Sequence, residues 1–591
     1  MTLRRGVGLV LGLIGLAVLV SFTLLALLYL GVSRRAAVPR AATLVVRPGG
    51  ELPELPPDDV VGQFFGQRSE SVSTLIESLR LAKRDARITG LVLRPSSLDL
   101  PYWAKLQELR DAVLDFKQSG KPVVAFLEFG GDREYYLATA ADSIYLLPAS
   151  PLDLTGVASY EIFLRGALDK LGVRPEFMHI GDYKTAPNQL TETGMTPAHR
   201  EMATSLNREA YDQLVAGIAQ ARDLSEEQVW ALVDKGPFLP EEAMEAGFVD
   251  GVAYEDELDD KVAALRNDGR TVEELEVADY QQSRGYGSTG FNLRRRPRVA
   301  VLYALGTIVS GRGGTDMVGS ESFVEEIRRI KKDSSIRAVI LRIDSPGGSV
   351  VASDVIWREL TLLRQDKTSR PLIVSMSDLA ASGGYYIATP ADAIVAQPAT
   401  LTGSIGIFSG KMALSEGLAK LGVSTQTIKD GENADMDSPF SSFTPAQRAR
   451  LDAQLQEFYK GFLAKVAESR KKTPEEIDAI ARGRVWTGSQ ALERGLVDRL
   501  GGLDVAVAVA KERAGIAPED EVELVTYPHR RSVYEAFSDQ FGGSSDGASV
   551  AGLLGLVGGR AQARAMASAT APVRLFRRGE PLALMPFAFA R

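Results

Sequence analysis

The strongest constraint on the fold of this chain is an internal repeat: residues 85–250 and 333–498 are two copies of one unit. Residues 88–94 align with residues 336–342, and similar short strings align at nearly the same offset through the rest of the unit. Self-similarity over so long a period means that one structural unit has been duplicated. The sequence therefore predicts two similar domains, not several unrelated ones.

The two copies differ at positions that carry reactive side chains. Where the second copy has Ser382, the first has Asp132, and where the first has Lys184, the second has Glu432. Neither copy holds both a serine and a lysine at these positions. The sequence therefore predicts one Ser–Lys pair that is built across the two repeats.

Each copy alternates amphipathic helices with short apolar strands. Continuous apolar strands that alternate with helices indicate a mostly parallel sheet covered on both faces, so the predicted fold class is α/β. The predicted helices are 71–85 and 321–332. The predicted strands are 42–46, 88–93, 123–126, 338–343 and 372–376.

Changes in composition divide the chain into five segments. A membrane anchor (1–40) precedes the first repeat with its lysine (41–281), a Gly- and Arg-rich linker (282–298), the second repeat with its serine (299–530) and a Gly/Ala-rich tail (531–591). The apolar runs in the tail are too short to span a bilayer. They are compatible with packing in an oligomer, contact with a membrane or disorder, and the sequence does not choose among these.

The first apolar segment, residues 6–32, carries no charged side chain. It is long enough to cross a bilayer core of about 30 Å and longer than the core of a signal peptide. An uncleaved transmembrane helix is therefore predicted, and a cleaved export signal is the alternative. Arginines flank the segment on both sides, so the positive-inside rule does not determine its orientation.

The composition excludes several kinds of site. There is no cysteine, which removes a cysteine nucleophile, disulfides and cysteine-based metal sites. The three histidines, His179, His199 and His529, lie in scattered contexts, and a structural or surface role is expected for each. No metal or cofactor is therefore predicted. A net charge of −8 argues against a nucleic-acid partner.

Ser382 lies between an apolar strand and a helix, with small neighbours that include Gly383. Free N–H groups at a helix N-terminus favour developing negative charge, although a serine there is also an ordinary helix cap. Gly347 and Gly348, which occur only in the serine-bearing copy, can turn backbone N–H groups towards an oxyanion. The alternative for the two glycines is a simple turn.

Lys184 is the candidate base that a serine nucleophile needs. The amine must be neutral to accept a proton, so its pKa has to fall from about 10.4 to about 7, which costs about 4 kcal/mol. Burial in the apolar surroundings that its neighbours suggest can produce this change. The alternative is a surface lysine near a turn.

Four strings together, at 181–186, 344–349, 380–385 and 400–407, resemble the long, tandem-repeat form of signal peptide peptidase A, a family of membrane-anchored Ser-Lys proteases of bacteria. The resemblance covers about residues 45–510 and the anchor. It implies a ClpP/crotonase-like fold for each repeat.

The resemblance also implies roles for individual residues. Ser382 is expected to be the nucleophile and Lys184 the general base. The N–H groups of Gly383 and of Gly348 or Gly347 are expected to form the oxyanion hole. Ser404 is a candidate to orient the lysine amine.

For the protein as a whole, the resemblance implies a serine endopeptidase that degrades cleaved signal peptides through an acyl-enzyme. It further implies a homotetramer anchored by a single span in the cytoplasmic (inner) membrane, with the catalytic domains on the outer, periplasmic face. Two rival functions remain open. These are a crotonase-type acyl-CoA enzyme and a catalytically dead membrane scaffold.

Overall fold

The computed structural model describes residues 38–56, 70–270, 272–284, 296–314, 316–366, 370–528, 581–585 and 589–590, together with Gly15, Leu19, Val20 and Thr23. Most of the predicted membrane segment at 6–32, His529, and most of the predicted linker and tail lie outside the described residues. In the part of the chain that the structure describes, no helix has both the length and the apolar character needed to cross a bilayer.

The strands of the three large sheets are numbered in chain order. They are β1 (Ala42–Val46), β2 (Ile88–Leu93), β3 (Val123–Leu127), β4 (Ser143–Leu146), β5 (Arg174–Ile180), β6 (Gly251–Val252), β7 (Glu273–Glu276), β8 (Arg298–Leu305), β9 (Thr307–Val309), β10 (Met317–Gly319), β11 (Ile336–Ser345), β12 (Gly347–Ser349), β13 (Leu372–Ala381), β14 (Ala393–Ala396), β15 (Leu401–Gly403), β16 (Ile407–Ala413), β17 (Val485–Thr487), β18 (Arg499–Leu500), β19 (Glu523–Tyr527) and β20 (Leu582–Leu584). Three short ladders also join Gly49–Gly50 to Ser96–Leu98, Gly130–Gly131 to Leu152–Asp153, and Ser159–Tyr160 to Phe589–Ala590.

The helices are numbered in the same way. They are α1 (Val72–Arg84), α2 (Ala104–Lys117), α3 (Asp132–Ala138), α4 (Arg165–Leu171), α5 (Asn188–Thr191), α6 (Pro197–Arg222), α7 (Glu226–Val233), α8 (Pro240–Glu245), α9 (Leu258–Arg266), α10 (Val277–Arg284), α11 (Ser320–Lys332), α12 (Val350–Arg364), α13 (Gly383–Ala388), α14 (Ser415–Lys420), α15 (Pro445–Arg470), α16 (Pro474–Asp478), α17 (Gly488–Glu493) and α18 (Leu503–Ala514), with one 3₁₀ turn at Glu255–Glu257.

Each repeat is built around its own largely parallel sheet. The first sheet has the order β6-β4-β3-β2-β1-β7, and all its neighbouring strands are parallel. The second has the order β17-β15-β13-β11-β8-β19, with only the β15–β17 pair antiparallel. Apolar clusters lie on both faces of each sheet. The predicted α/β class, with two repeats of mostly parallel sheet, is confirmed.

Local sequence explains why the helices start where they do. The side chain of Ser71 accepts a hydrogen bond from the Thr74 N–H, and the Thr74 hydroxyl accepts one from the Ser71 N–H, so α1 begins at Val72. The apolar positions Leu75 and Leu79 recur at helical spacing and are buried against the first sheet. The helix predicted at 71–85 therefore differs from the observed one only by its two caps.

Strand β13 is longer than the sequence predicted. The prediction ended it at residue 376, whereas the strand runs on to Ala381. Its first half pairs with β14 and its second half, Leu379–Ala381, pairs with β15. A change of partner partway along a strand is a tertiary effect that local hydrophobicity does not reveal. The extension places Ser382 directly at the end of a rigid strand.

A third sheet joins the two repeats, with the order β5-β16-β20-β12-β9-β10. Strand β5 of the first repeat pairs antiparallel with β16 of the second along its whole length, from Arg174 opposite Ala413 to Ile180 opposite Ile407. The segment that follows β5 contains Lys184. The pairing therefore delivers this segment of the first repeat to the second repeat.

A buried ion cluster also connects the repeats. The guanidinium of Arg342, on β11, lies 3.0 and 2.9 Å from the carboxylate oxygens of Glu54 and also contacts Glu108 on α2. All three side chains are buried. Burial opposes ionisation of Glu54, but the charges of Arg342 and Lys105, together with hydrogen bonds from Arg342 and Ser377, hold the pKa of that carboxyl below its ordinary value. The cluster therefore fixes the N-terminal segment and the first repeat to the sheet of the second.

Removing the cation from this cluster is expected to destabilise the protein strongly. Arg342→Met leaves Glu54 and Glu108 buried without their partner, which costs about 3–5 kcal/mol in the free energy of unfolding. Denaturant unfolding measures the change. Arg328→Met, which removes an exposed partner of Glu359, is the matched control and is expected to cost at most about 1 kcal/mol. Equal effects of the two substitutions would contradict the role assigned to the cluster.

Candidate active site

Ser382 sits in a constrained backbone conformation between β13 and α13. Its φ angle is 56°, a left-handed value that non-glycine residues adopt only when their surroundings enforce it. Its N–H donates to the Gly403 carbonyl at 2.8 Å, and its carbonyl accepts from the Tyr386 N–H at 2.8 Å. These two hydrogen bonds hold the backbone of Ser382 in place.

The hydroxyl of Ser382 does not cap the helix that follows it. Its Oγ lies 2.7 Å from Nζ of Lys184, which comes from the other repeat. Each repeat has kept only one of these two side chains, and the structure brings the retained serine and the retained lysine together. The alternative of a simple helix cap is not what the geometry shows.

Lys184 reaches the serine because two loops touch at their backbones. A Cβ atom placed on Gly181 would lie 2.3 Å from the carbonyl oxygen of Arg482, and one placed on Gly483 would lie 2.4 Å from the backbone nitrogen of Lys184. Both glycines also have positive φ angles, of 97° and 82°. Glycine at these two positions allows the lysine loop to pack directly on the second repeat.

The amine of Lys184 is fully buried. Burial alone lowers its pKa well below the ordinary value of lysine. Its Nζ lies 3.0 Å from both the hydroxyl and the carbonyl oxygen of Ser404, in addition to the contact with Ser382. A neutral amine has two N–H donors and one lone pair. It can therefore donate both hydrogens to Ser404 and accept the proton of Ser382.

The two candidate oxyanion glycines of β12 are not equivalent. The N–H of Gly347 donates to the hydroxyl of Ser345 at 3.2 Å, so it is already engaged. The backbone nitrogen of Gly348 lies 3.1 Å from where a Cβ of Gly383 would be. The geometry thus favours Gly348 over Gly347 as the partner of Gly383.

Backbone conformation explains why this position requires glycine. Gly348 has a φ angle of 156°, and a Cβ there would lie 2.0 Å from the carbonyl oxygen of Ile308 on β9. Gly347, with a φ of 101°, is similarly confined. A side chain on Gly348 would push β12 away from β9, whereas the corresponding short ladder of the first repeat, Gly49–Gly50 with Ser96–Leu98, carries side chains where β12 has its two glycines.

Each repeat has a different residue at the position where the other repeat has its serine or lysine, and these two residues lie in other local structures. Asp132, which takes the place of the serine in the first repeat, accepts hydrogen bonds from the N–H groups of Thr155 and Gly156. Burial raises the pKa of this carboxyl to about 6. Glu432, which takes the place of the lysine in the second repeat, lies in an exposed turn.

The histidines described by the structure have their own partners. Nε2 of His199 lies 2.6 Å from the carboxylate of Glu161, and Nδ1 of His179 lies 2.9 Å from the carbonyl oxygen of Gly181. Among the described residues, no cluster of three or more histidine, aspartate or glutamate side chains is placed to hold a metal ion.

One component of the site was not anticipated from the sequence. Residues 581–585, in the predicted tail, form β20 and its flanks, and they are inserted in the sheet beside the two glycines. The apolar run 582–589 was visible in the sequence. It has no counterpart in the repeat, so nothing in the sequence connected it with Ser382.

Comparison with known proteins identifies relatives for both repeats. The model of Peptidase family S49 matches residues 115–268 and 364–517. "Serine protease SPPA, chloroplastic" of Arabidopsis thaliana is 35% identical over 464 residues, which are 77% of this chain and 67% of that protein. "Protease 4" of Salmonella typhi is 33% identical over 497 residues (82% and 78%), and "Protease 4" of Haemophilus influenzae is 30% identical over 469 residues (77% and 75%). These matches confirm the family resemblance that the four strings indicated.

The buried amine leads to a prediction about stability and pH. Between the lowered pKa of Lys184 and its unfolded value of about 10.4, the unfolded chain binds one more proton than the folded chain. In that window stability therefore rises with pH, by about 1.4 kcal/mol per pH unit from this group. Lys184→Met lacks this contribution. The stability of the variant relative to wild type is expected to be greatest at the low-pH end of this window and to decline as the pH approaches the unfolded value.

Denaturant unfolding at a series of pH values measures this difference. Lys331→Met, which removes a lysine of α11 whose amine donates to the Leu362 carbonyl, is the control and is expected to show no such decline. A difference between Lys184→Met and wild type that does not vary with pH would mean that the amine is charged in the folded protein.

Proposed function

Since the chain belongs to peptidase family S49 and is a serine protease, we propose that Ser382 and Lys184 form its catalytic dyad. The observation that carries the proposal is the 2.7 Å contact between the Ser382 hydroxyl and a fully buried lysine amine from the other repeat. Desolvation lowers the pKa of this amine, which makes it available as a base.

In this mechanism, the neutral amine of Lys184 removes the proton of Ser382 as Oγ attacks the carbonyl carbon of a peptide bond. The resulting ammonium then gives that proton to the nitrogen of the leaving amine, and an acyl-enzyme remains on Ser382. Water attacks the ester in the same way and releases the acid. Ser404 is a positioning residue, because its hydroxyl and carbonyl hold the amine in line with Ser382.

The negative charge that develops on the carbonyl oxygen is stabilised by the N–H groups of Gly348 and Gly383. Donors fixed in advance lose no freedom as the reaction proceeds, and one such donor contributes about 3–4 kcal/mol. The engagement of Gly347 with Ser345 supports this choice of donors. No metal or cofactor has a step in this scheme.

We further propose that each repeat has the ClpP/crotonase-like fold and that the substrates are cleaved signal peptides. An apolar substrate suits the surroundings of the site. A cavity of about 90 Å³, lined largely by apolar side chains that include Trp103, Met202, Leu401 and Val485, extends to Met585, which directly follows the strand β20 that pairs with β12. Such a lining favours apolar side chains of a bound peptide.

Location and assembly are part of the same proposal. The uncharged run at residues 6–32 would anchor the protein by one span in the cytoplasmic membrane, with both repeats on its outer, periplasmic face. A homotetramer is proposed from the resemblance stated above. Neither a nucleic-acid partner nor a cofactor enters the proposal.

The rival functions fit less well. A dead scaffold gives no reason for a desolvated amine held against a serine in a strained conformation. A crotonase-type acyl-CoA enzyme also uses backbone N–H groups for an oxyanion, but it does not need a serine paired with a lysine. Family membership favours peptide hydrolysis over both.

Loss of either dyad residue is expected to abolish hydrolysis of a peptide rich in apolar and small residues. The detergent-solubilised full chain and its Ser382→Ala and Lys184→Ala variants are compared by kcat/KM, with a decrease of at least about a thousandfold expected for each variant. Lys331→Ala on α11 is the matched control and should retain activity. If Lys184→Ala stays near wild type while Ser382→Ala is inactive, the protein is a serine protease with a different base.

A further inference from the structure

A second lysine of the first repeat, Lys105, reaches into the second repeat beside the strands of the active site. It lies in the first turn of α2, and its Nζ is 2.7 Å from Oδ2 of Asp344 on β11 and 3.4 Å from Oδ2 of Asp378 on β13. The exposed fractions of these three side chains are 12%, 17% and 3%. Lys105, Asp344 and Asp378 thus form an ion bridge between the repeats (the Lys105 bridge), which has no part in the chemistry of the dyad.

The electrostatics of Lys105 are the opposite of those of Lys184. Burial lowers the pKa of the Lys105 amine, but the negative charges of Asp344, Asp378 and Glu54 outweigh burial and hold that pKa above the ordinary value of lysine. Burial raises the pKa of the Asp378 carboxyl to about 6, against the opposing charge of Lys105. The pKa of Lys184, in contrast, is lowered by burial alone. Lys105 is therefore suited to be a fixed cation and not a base.

The carboxylate of Asp344 connects the two strands that lead to the active site. Its Oδ1 accepts a hydrogen bond from the Leu379 N–H on β13 at 3.1 Å. The register between β11 and β13 shifts between Ile343 and Ser345, so the regular ladder is interrupted at this point. Backbone groups at such an interruption lose their usual partners in the ladder. The Asp344 side chain supplies the missing acceptor and keeps β13 attached to β11.

Both catalytic elements begin a few residues from this connection. On β11, Asp344 directly precedes Ser345, whose hydroxyl accepts the N–H of Gly347 on the oxyanion strand β12. On β13, Leu379 lies in the last part of the strand that ends immediately before Ser382. The orientation of the Asp344 carboxylate therefore sets the spacing between the oxyanion strand and the nucleophile.

Asp378 fixes Lys105 to the second repeat through the backbone as well. Helix α2 follows Trp103, which provides no side-chain cap of its own. Oδ1 of Asp378 accepts the Lys105 N–H at 2.9 Å and so supplies an acceptor from the other repeat. A carboxylate at this end of a helix is favoured by the free N–H groups and by the helix dipole. Both the backbone and the side chain of Lys105 are thus held against β13.

We propose that Lys105 is a positioning residue of the peptidase reaction, which holds the oxyanion strand β12 and the nucleophile strand β13 in register through the carboxylate of Asp344. This inference rests on the proposed function of Ser382 and Lys184. It assigns the first repeat a second contribution to the site: one lysine takes the proton, and the other, which remains charged, aligns the strands.

Loss of the ammonium releases this alignment. Without Lys105, the carboxylate of Asp344 keeps its charge in a largely buried position and turns towards water, which breaks its hydrogen bond with the Leu379 N–H. The end of β13 then shifts relative to β12. Oxyanion donors are effective only at about 2.7–3.1 Å from the developing charge, so a small shift of either strand weakens them.

Lys105→Met tests the proposal, because it removes the charge and keeps the length of the side chain. The oxyanion contact forms in the transition state, so kcat for an apolar peptide is expected to fall about a hundredfold while KM stays within about threefold of wild type. Lys105→Arg keeps the cation and is expected to recover at least about tenfold of the lost kcat. An arginine variant as slow as the methionine variant would overturn the role of the charge.

The control removes a different lysine ion pair. Lys83 on α1 lies 2.6 Å from Asp115, and both residues belong to the first repeat, away from the catalytic strands. Lys83→Met is therefore expected to keep the kcat and KM of wild type. A Lys105→Met variant that also keeps the wild-type kcat would overturn the proposal.

A double variant separates positioning from stability. Lys105→Met leaves Asp378 buried without its cation and is expected to lower the denaturant midpoint of unfolding. Adding Asp378→Asn removes that buried charge, so the double variant is expected to recover much of the lost stability but not kcat, because Asp344 still lacks the ammonium. Recovery of kcat together with stability would show that Lys105 only balances charge in the fold, and the proposal would be wrong.

Wild type and Ser382→Ala, assayed as detergent-solubilised full chains on the same peptide, distinguish this inference from the proposed function. Hydrolysis that requires Ser382, combined with a wild-type kcat in Lys105→Met, overturns the positioning role alone. A wild type that does not hydrolyse the peptide contradicts the proposed function and, with it, the positioning role. Hydrolysis that requires Ser382 and falls in kcat without Lys105 supports both.

Discussion

The features that join the two repeats converge on a single contact, in which a fully buried lysine amine lies 2.7 Å from a serine hydroxyl. In the proposed mechanism, Lys184 acts as a base only while it is neutral, and burial favours the neutral form because it lowers the pKa of the amine. No carboxylate balances it; the oxygens of Ser404 and Ser382 are its hydrogen-bond partners among the described residues. A small opening that admitted water would raise its pKa and remove the base.

Such a contact across two repeats requires that the repeats be fixed with respect to each other. Three features provide this: the seven-residue antiparallel pairing of β5 with β16, the close backbone approach at Gly181 and Gly483, and the buried cluster of Arg342 with two carboxylates. The cluster resists separation of the repeats, because moving them apart would leave the charge of Arg342 buried without its carboxylate partners, which is strongly unfavourable. Duplication followed by loss of one half of the site in each copy makes the enzyme depend on this interface.

The sequence predicted much of this arrangement, and the reasons are physical. Loss of serine from one copy and lysine from the other makes sense only if the retained residues meet, so the pair Ser382–Lys184 was accessible. The amphipathic pattern predicted a helix at 71–85, which differs from the observed α1 only by the two caps. The sequence could not distinguish Gly348 from Gly347 as the oxyanion donor. The distinction depends on a hydrogen bond from the Gly347 N–H to the Ser345 hydroxyl, and this bond depends on the folded geometry of the turn and not on the residue types alone.

The position of the tail strand β20 could not be predicted from the sequence, for a different reason. Its apolar residues were visible, but strand pairing across a long separation in the chain depends on the shape and free edges of a slot that exists only in the folded protein. The same is true of the extension of β13 to Ala381, which depends on a change of neighbouring strand. Both features lie beside Ser382. Functional sites are where the conformation favoured by the local sequence most often differs from the conformation that tertiary contacts impose.

The pH dependence of the reaction of Ser382 with a fluorophosphonate tests the central claim most directly, because this reagent requires only an activated serine and no peptide-binding groove. We expect a second-order rate constant that rises with pH, with an inflection well below the ordinary pKa of lysine, and a much slower reaction without that inflection in Lys184→Ala. The same rate and the same inflection in Lys184→Ala would show that Lys184 is not the base that activates Ser382.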